Sequence, residues 1–266
     1  MGTTVITITN QKGGVGKTTT AAALLSSLHR RGAKVLGVDL DPQGSLGFSL
    51  GLDIERCATV YDVFRGEVEP ESAITHADTC DILPSNILLS AAELEFNRPG
   101  REYMLKTALS KVKDQYDFVV IDTPPALNLL TVNAYVATDG LIIPMAPEVL
   151  SLLGVSQIKE TIESVRNYYN AHLKVLGILL NRFSVRFRLN REVLELAQQI
   201  AAQLDTKVFR NKIRSGVAVA EAPAHGLSII DYAPQSKPAL DFECLCDEVA
   251  GAAFPRRRAD ESGVKG

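Results

Sequence analysis

The chain has 266 residues, of which 46% are hydrophobic and 22% charged, and its 28 basic and 31 acidic residues leave a net charge of −3. This composition excludes an intrinsically disordered chain, a disulfide scaffold and a collagen-like repeat. The four cysteines form neither a CxxC pair nor a zinc-ligand spacing. No window approaches the roughly 18 uninterrupted apolar residues that suggest a membrane span. We therefore expect a cytoplasmic protein with reduced thiols.

Short apolar runs alternate with helical patterns along the chain. The predicted strands are Val5–Thr9, Val35–Val38, Phe118–Ile121, Leu141–Pro144 and Val175–Leu180. The predicted helices are Lys17–Arg31, Arg101–Gln115, Leu127–Ala137, Ser151–Tyr169 and Asn190–Leu204, with a further amphipathic stretch over Ala239–Phe254. Near-continuous apolar strands are typical of a parallel sheet covered on both faces. The pattern predicts one doubly wound, mostly parallel α/β domain over residues 1–254 and a disordered tail over 255–266.

The strongest motif follows the first predicted strand and opens the first predicted helix. It reads Asn10-Gln11-Lys12-Gly13-Gly14-Val15-Gly16-Lys17-Thr18-Thr19. Backbone amides of such a glycine-rich loop wrap phosphate groups, and the helix N-terminus adds partial positive charge. We expect residues 12–19 to bind a nucleotide, with Lys17 bridging phosphate oxygens and Thr18 ligating Mg²⁺.

Two acidic motifs follow at predicted strand ends. Asp39 and Asp41 lie two residues apart on an extended segment and so point the same way, and Asp122 follows the apolar run Phe118–Ile121 as in a Walker B strand. Ligands of parallel sheets bind at the carboxyl edge of the strands. Each aspartate alone is equally typical of a helix cap or a turn. The order of the motifs favours a magnesium site in which Asp122 holds the ion directly or through water.

The phosphate loop departs from the common G-x-x-x-x-G-K-[ST] pattern, because Gln11 replaces the first glycine and Lys12 precedes the next two. It resembles the loop of the deviant Walker A ATPases, K-G-G-x-x-K-[ST]. The resemblance implies that Lys12 reaches the phosphates of a partner subunit in an ATP-sandwich dimer, as an arginine finger does. It also implies that Asp41 orients the attacking water and that Asp39 supports the magnesium shell. Lys12, Lys17 and Asp41 are then the catalytic residues.

Three further segments resemble the ParA/Soj branch, whose members move chromosomes, plasmids or protein cargo: Asp39–Gly44, Asp122–Pro125 and Ala220–Gly226. The likeness extends over about residues 3–250. It implies a magnesium-dependent ATPase stimulated by a ParB-like adaptor protein. It also makes Asn181 a candidate contact for adenine, although a turn-forming asparagine is an equal alternative.

The segment from Arg182 to Arg214 is basic, with eight basic and three acidic residues, a net +5 that leaves −8 for the rest of the chain. Such a patch supplies sequence-independent affinity for DNA phosphates, although a solvated helix face is the alternative. The ParA resemblance implies DNA binding by the ATP-bound dimer. Family members often carry an arginine where Ala218 stands here. The candidate DNA contacts are therefore Arg182, Arg186, Arg188, Arg210, Lys212 and Arg214.

Two other functions stay open. A MinD-like ATPase would position machinery at a membrane through a C-terminal amphipathic helix. The Ala239–Phe254 stretch has an apolar stripe, but its charged residues are all acidic: Asp241, Glu243, Asp247 and Glu248. Anionic lipid repels such a face, so we expect no stable membrane anchor. The ParA resemblance implies a cytoplasmic protein that associates with the nucleoid when it is bound to ATP. A nucleotide-gated scaffold or regulator with negligible turnover is the third interpretation.

Overall fold

The computed structural model describes residues 2–147, 153–183 and 188–253, so the predicted tail over 255–266 lies outside the described residues. Within these ranges seven strands form one sheet: β1 (Thr4–Ile8), β2 (Val35–Asp39), β3 (Thr75–His76), β4 (Asp81–Leu83), β5 (Phe118–Asp122), β6 (Gly140–Met145) and β7 (Lys174–Leu180). Their spatial order is β3-β4-β2-β5-β1-β6-β7. All neighbouring pairs are parallel except β3 and β4. The predicted doubly wound, mostly parallel α/β fold is confirmed.

Helices connect the strands. In the described part of the chain they are α1 (Lys17–Arg30), α2 (Ser45–Ser49), α3 (Val60–Arg65), α4 (Pro70–Ala73), α5 (Ala92–Glu95), α6 (Met104–Val112), α7 (Leu129–Ala137), α8 (Leu153–Tyr168), α9 (Arg188–Gln203), α10 (Val217–Glu221), α11 (Ile229–Tyr232) and α12 (Lys237–Ala253). The predicted helix over Arg101–Gln115 is shorter, because its first and last three residues form 3-10 turns. Among the described residues, no helix combines the length and the apolar character that crossing a membrane requires.

The core has two layers, one on each face of the sheet. Phe118 and Val120 of β5 join an apolar cluster with α1 and α12, whereas Val119 and Ile121 join a second cluster with α6, α7 and α8. Successive side chains of a strand point to opposite faces, so an uninterrupted apolar strand supplies both layers. This double burial explains why the strands show apolar runs instead of alternation.

The carboxyl ends of the strands bring the polar motifs to one edge of the sheet. Asp39 ends β2 and lies opposite Asp122, which ends β5. Asn10 follows β1 by two residues, and Asn181 follows β7 directly. The parallel register therefore gathers side chains that are up to about 170 residues apart in the sequence, as ligand sites of open α/β sheets require.

Candidate functional site

The phosphate loop is fixed at its base by Asn10. The Asn10 side chain donates a hydrogen bond from Nδ2 to the carbonyl of Pro144 in β6 (2.7 Å) and accepts one from the backbone N–H of Lys12 (2.9 Å). Gly13 and Gly14, the next two residues, are exposed at the turn of the loop. Asn10 thus anchors one side of the loop to the sheet while the glycines stay open to a ligand.

Lys17 begins α1 and is buried, with 7% of its surface exposed. Its Nζ donates to the carbonyl of Lys12 (3.2 Å). Burial lowers the pKa of Lys17, and the nearby carboxylates of Asp122 and Asp41 oppose that shift. Lys17 therefore lies at the phosphate loop, close enough to Asp122 and Asp41 for their charges to act on it, and its contact with phosphate stays a prediction.

Thr18 and Asp122 form a direct contact between α1 and the end of β5. The Thr18 hydroxyl donates to Oδ2 of Asp122 at 2.6 Å. The other oxygen, Oδ1, is buried and has no hydrogen-bond partner among the described residues. Burial raises the pKa of Asp122 to about 7, although the Thr18 hydroxyl and the charge of Lys17 act in the opposite direction. Asp122 therefore holds one carboxylate oxygen without a described partner in a fully buried position.

Asp39 orders the turn that carries Asp41. Its two oxygens accept hydrogen bonds from the backbone N–H groups of Asp41 and Leu46, both at 2.9 Å. The side chain is fully buried, and burial together with the charge of Asp122 raises its pKa well above the usual range. Asp41 itself is half-buried and caps the next turn through the N–H of Gln43. These bonds give Asp39 a structural role, and its part in a magnesium shell stays a prediction.

The side chain of Asn181, which directly follows β7, contacts the phosphate loop at Val15. Its Nδ2 donates to the carbonyl of Val15 at 2.7 Å, and its backbone N–H donates to the carbonyl of Met145. Its Oδ1 is buried and has no partner in the part of the chain that the structure describes. Gly16 has a φ of +89°, and a Cβ added there would lie 2.7 Å from Nδ2 of Asn181. The close approach therefore requires glycine at position 16.

A cavity of about 340 Å³ lies beside Asn181. One side of the cavity is the phosphate loop together with Thr19 of α1. The other side consists of the chain after β7, the segment that leads into α10, α10 with the turn after it, and α12. The residues beyond the loop are Asn181, Arg182, Ile213, Arg214, Ser215, Gly216, Val219, Ala220, Pro223 and Phe242. Its volume is in the range of small-ligand pockets, and the buried Oδ1 of Asn181 supplies a hydrogen-bond acceptor.

Two glycines make a close backbone contact between the segment that follows Asp41 and α2 and the wall of this cavity. Gly51 follows α2, and Gly226 ends the 3-10 turn Ala222–His225 that includes Pro223 of the cavity. Both residues have positive φ, and a Cβ on Gly226 would lie 2.8 Å from Cα of Gly51. The segment after Asp41 and the cavity wall thus meet backbone to backbone.

The predicted DNA contacts fall into three groups, which differ in whether the structure describes them and in what they contact. Arg186 lies outside the described residues, and Arg188 begins α9 without a described side chain. Arg182 is exposed beside the cavity and has a φ of +54°. The other three are close to acidic or carbonyl oxygens: the guanidinium of Arg214 binds Asp241, the backbone N–H of Arg210 donates to Glu248, and Lys212 donates to the carbonyl of Arg210.

The structure adds residues that the sequence interpretation missed. Asn10 stands inside the recognised motif, but its anchoring bond to Pro144 depends on the neighbouring strand. The cavity wall formed by Ile213, Val219 and Phe242 comes from segments with no phosphate motif. The Ala220–Gly226 segment gave a signal through its resemblance to ParA proteins, and Phe242 lies in the apolar stripe of Ala239–Phe254, but neither signal was assigned to a ligand site.

Residues 3–175 match the family model described as AAA domain. The chain is 40% identical over 252 residues to the sporulation initiation inhibitor protein Soj of Bacillus subtilis, covering 92% of this chain and 98% of that protein. It is 38% identical to the chromosome-partitioning ATPase Soj of Treponema pallidum, covering 94% and 97%. A solved structure of cobyrinic acid a,c-diamide synthase from Mycobacterium smegmatis, with bound ATP analogue and magnesium, has a TM-score of 0.84 at 37% identity, covering 96% and 97% of the two chains. The chain therefore belongs to the ParA/Soj family of P-loop partitioning ATPases.

Proposed function

We propose that this protein is a ParA-type partitioning ATPase whose ATP-bound dimer holds DNA without sequence preference. The chain is an ATPase of that family, and its cofactors are ATP and Mg²⁺. The observation that carries the proposal is the grouping of Lys17, Thr18 and the unpartnered oxygen of Asp122 at the phosphate loop. Next to this group lies a cavity of a size that suits a nucleoside. Phosphate and base subsites are thus adjacent.

The nucleotide is held by its two ends. Backbone amides of residues 13–16 and the N-terminus of α1 bind the phosphates, and Lys17 neutralises part of their charge. The base enters the cavity beside Asn181, where the buried Oδ1 accepts a hydrogen bond from an exocyclic amine. Adenine carries its amine at C6, where guanine carries a carbonyl oxygen, so an acceptor that faces this edge of the base favours ATP over GTP.

The residues beside the loop fit a magnesium ion. Thr18 and Asp122 supply a hydroxyl and a carboxylate oxygen, and Mg²⁺ in proteins is commonly held by one or two such groups while it keeps water ligands. When bound, the ion neutralises charge on the phosphate oxygens. Asp122 must lose its proton to serve as a ligand, and the positive charge of the ion would favour that loss.

Hydrolysis transfers the terminal phosphoryl group to water and releases ADP and phosphate. Asp41 lies at the same sheet edge as Asp122, and its charge interacts with Lys17. In the proposal its carboxylate orients the attacking water, and Lys17 stabilises the charge that develops on phosphate oxygens. Positioning and electrostatics suffice, so no covalent intermediate forms.

Dimerisation supplies the second lysine. Lys12 is partly exposed next to the open glycines of the loop, and in the proposal it neutralises phosphate charge on the facing subunit. Because the nucleotide lies between two copies, loss of the γ-phosphate weakens the dimer. A ParB-like adaptor accelerates this loss, which releases the protein from nucleoid DNA into the cytoplasm.

DNA retention across nucleotides and salt tests the proposal. The chain is applied to immobilised duplex DNA with ATP, ADP or no nucleotide, at several salt concentrations, and the dimer is measured in parallel by light scattering. We expect retention with ATP alone and a steep loss as salt rises. Retention independent of nucleotide would contradict the proposal. ATP-dependent pelleting with liposomes and no DNA retention would support the MinD-like alternative.

A further inference from the structure

We propose that acidic side chains of α12 restrain the DNA affinity of the basic segment Lys207–Arg214. This inference rests on the proposed DNA-binding function and concerns its regulation. The segment carries four basic and no acidic residues. In the folded chain, however, two carboxylates of α12, those of Asp241 and Glu248, contact it directly. Its local charge is therefore about half of what the sequence alone indicates.

The first contact joins Arg214 to Asp241. The guanidinium donates two hydrogen bonds to the carboxylate, from Nε to Oδ2 at 2.9 Å and from Nη2 to Oδ1 at 2.7 Å. The backbone N–H of Arg214 donates to the same carboxylate at 2.9 Å. A two-bond pairing of this kind is the geometry in which arginine also binds phosphate. Asp241 therefore occupies the donors that a DNA phosphate requires.

The second contact joins Lys207 and Arg210 to Glu248. Lys207 Nζ lies 3.0 Å from Oε1 of Glu248, and the backbone N–H of Arg210 donates to Oε2 at 3.0 Å. One glutamate thus bridges two points of the basic segment. Glu248 is 41 residues from Lys207 and 38 residues from Arg210 along the chain, so only the folded arrangement of α12 brings the glutamate next to these cations.

The two carboxylates and their cations differ in exposure. The side chains of Asp241 and Glu248 are each 14% exposed, whereas those of Arg214 and Lys207 are 48% and 52% exposed. The backbone N–H groups fix the acids in place, while the half-exposed cationic groups can turn toward a phosphate. Exposed ion pairs are weak, so a phosphate can compete for the cation. The fixed carboxylate nevertheless remains close and repels that phosphate, which lowers affinity without abolishing it.

The same helix offers a matched control. Glu243 of α12 pairs with Arg31 at the end of α1, and Asp247 does the same. Arg31 lies outside the basic segment. Changing Glu243 to glutamine alters the net charge by the same single unit and on the same helix. It therefore separates a local effect on Lys207–Arg214 from a general change in charge.

The experiment measures binding of a fluorescent duplex by anisotropy with Mg²⁺ and a non-hydrolysable ATP analogue over a salt series. The variants are Asp241→Asn, Glu248→Gln, the double variant and Glu243→Gln. Asn and Gln retain an oxygen that can accept the backbone N–H, so the local fold is preserved. Because Arg214 lines the nucleotide cavity, binding of the analogue is measured for each variant, and all assays are run at saturation.

We expect each single variant to bind DNA about two- to fivefold more tightly and the double variant about tenfold. The slope of log K against log salt should steepen by about 0.9 for each cation freed to contact phosphate. The control should change affinity by less than about 1.5-fold, which is within the range of surface substitutions.

Each remaining outcome decides between the two proposals. Equal tightening by Glu243→Gln, or no tightening by Asp241→Asn and Glu248→Gln while the unchanged chain binds DNA, overturns the restraint alone. Failure of the unchanged chain to bind DNA at any salt overturns the proposed DNA function. In that case, binding gained by Asp241→Asn, Glu248→Gln or their double variant, but not by Glu243→Gln, still supports the restraint. No binding by any variant overturns the restraint as well.

Discussion

The nucleotide site and the surface between α12 and the basic segment treat charge in opposite ways. At the site, Asp39 and Asp122 are fully buried, and one oxygen of Asp122 has no hydrogen-bond partner within the described ranges. At the surface, carboxylates of α12 bind Arg31, Lys207 and Arg214 in pairs. Unpaired buried charge is destabilising, whereas exposed pairs contribute little. The unpaired buried groups at the nucleotide site therefore lower the stability of the ligand-free protein, whereas the exposed ion pairs of α12 change it little.

This difference indicates where substitutions should matter. Removing a group at the nucleotide site should change ligand affinity or turnover by orders of magnitude and can increase the stability of the free protein. Removing one member of a surface pair should change stability slightly.

Lys17→Ala should have the largest effect. The variant loses the buried ammonium group beside the phosphate loop, and we expect ATP affinity to fall by more than about 100-fold. Isothermal titration calorimetry with ATP and Mg²⁺ measures this loss, and circular dichroism checks the fold. Lys34→Ala is the matched control, because Lys34 is exposed in the turn between α1 and β2. Nearly unchanged affinity in Lys17→Ala would contradict the assignment of the phosphate site.

Asp41→Ala should separate turnover from binding. Removal of the carboxylate that orients water should lower ATP hydrolysis by about 100-fold, while ATP affinity changes by less than about threefold. Single-turnover release of phosphate measures the rate. Asp53→Ala serves as the control, since Asp53 is an exposed acid that pairs with Arg56. Hydrolysis at the unaltered rate would show that another group positions the water.

Asp122→Asn should change how the stability of the nucleotide-free chain depends on pH. The raised pKa means that the folded state keeps this proton up to about pH 7, whereas the unfolded state releases it near pH 4. Between these values the unfolded state binds fewer protons, so stability falls as pH rises and levels off above pH 7. The variant should flatten this part of the curve and be more stable at pH 8 by about 1–3 kcal/mol.

Urea unfolding from pH 4 to 8 measures that dependence. Loss of the carboxylate should also weaken magnesium binding, so the variant should need more Mg²⁺ to bind ATP. An unchanged pH curve in Asp122→Asn would mean that Asp122 does not bind the proton.

Arg31→Ala should have the smallest effect. Arg31 donates to Glu243, Asp247 and the carbonyl of Ser27, and its side chain is 30% exposed. Breaking this exposed network should lower the free energy of unfolding by about 1 kcal/mol. Urea unfolding at two salt concentrations tests it, with a smaller difference expected at high salt. A loss above about 3 kcal/mol would mean that surface pairs here stabilise the fold as buried ones do.

The sequence supported the parts of the site that depend on neighbouring residues. The phosphate loop and the acid after Phe118–Ile121 are contiguous motifs, so their places at the sheet edge follow from the parallel fold. The strands β3 and β4 were missed, because two or three residues give too short a pattern. Helix ends differed by a few residues where 3-10 turns replace regular helix.

The basic segment shows why the remainder could not be predicted. Summing charge along Arg182–Arg214 counts neighbours in the chain and ignores neighbours in space. The same limit applies to α12, whose acidic residues looked like one repelling face. Its apolar residues Phe242 and Val249 do pack into the core, while Asp241 and Glu248 meet cations of another segment. Such pairing depends on tertiary contacts.

The contact between Gly51 and Gly226 limits which sequences this fold accepts. At most paired positions, a larger residue on one side can be compensated by a smaller one on the other. Here both residues already lack a side chain, and a Cβ on either would push against the backbone of the other. Neither substitution can therefore rescue the other, so both positions should keep glycine. A library randomised at both sites should return glycine at each.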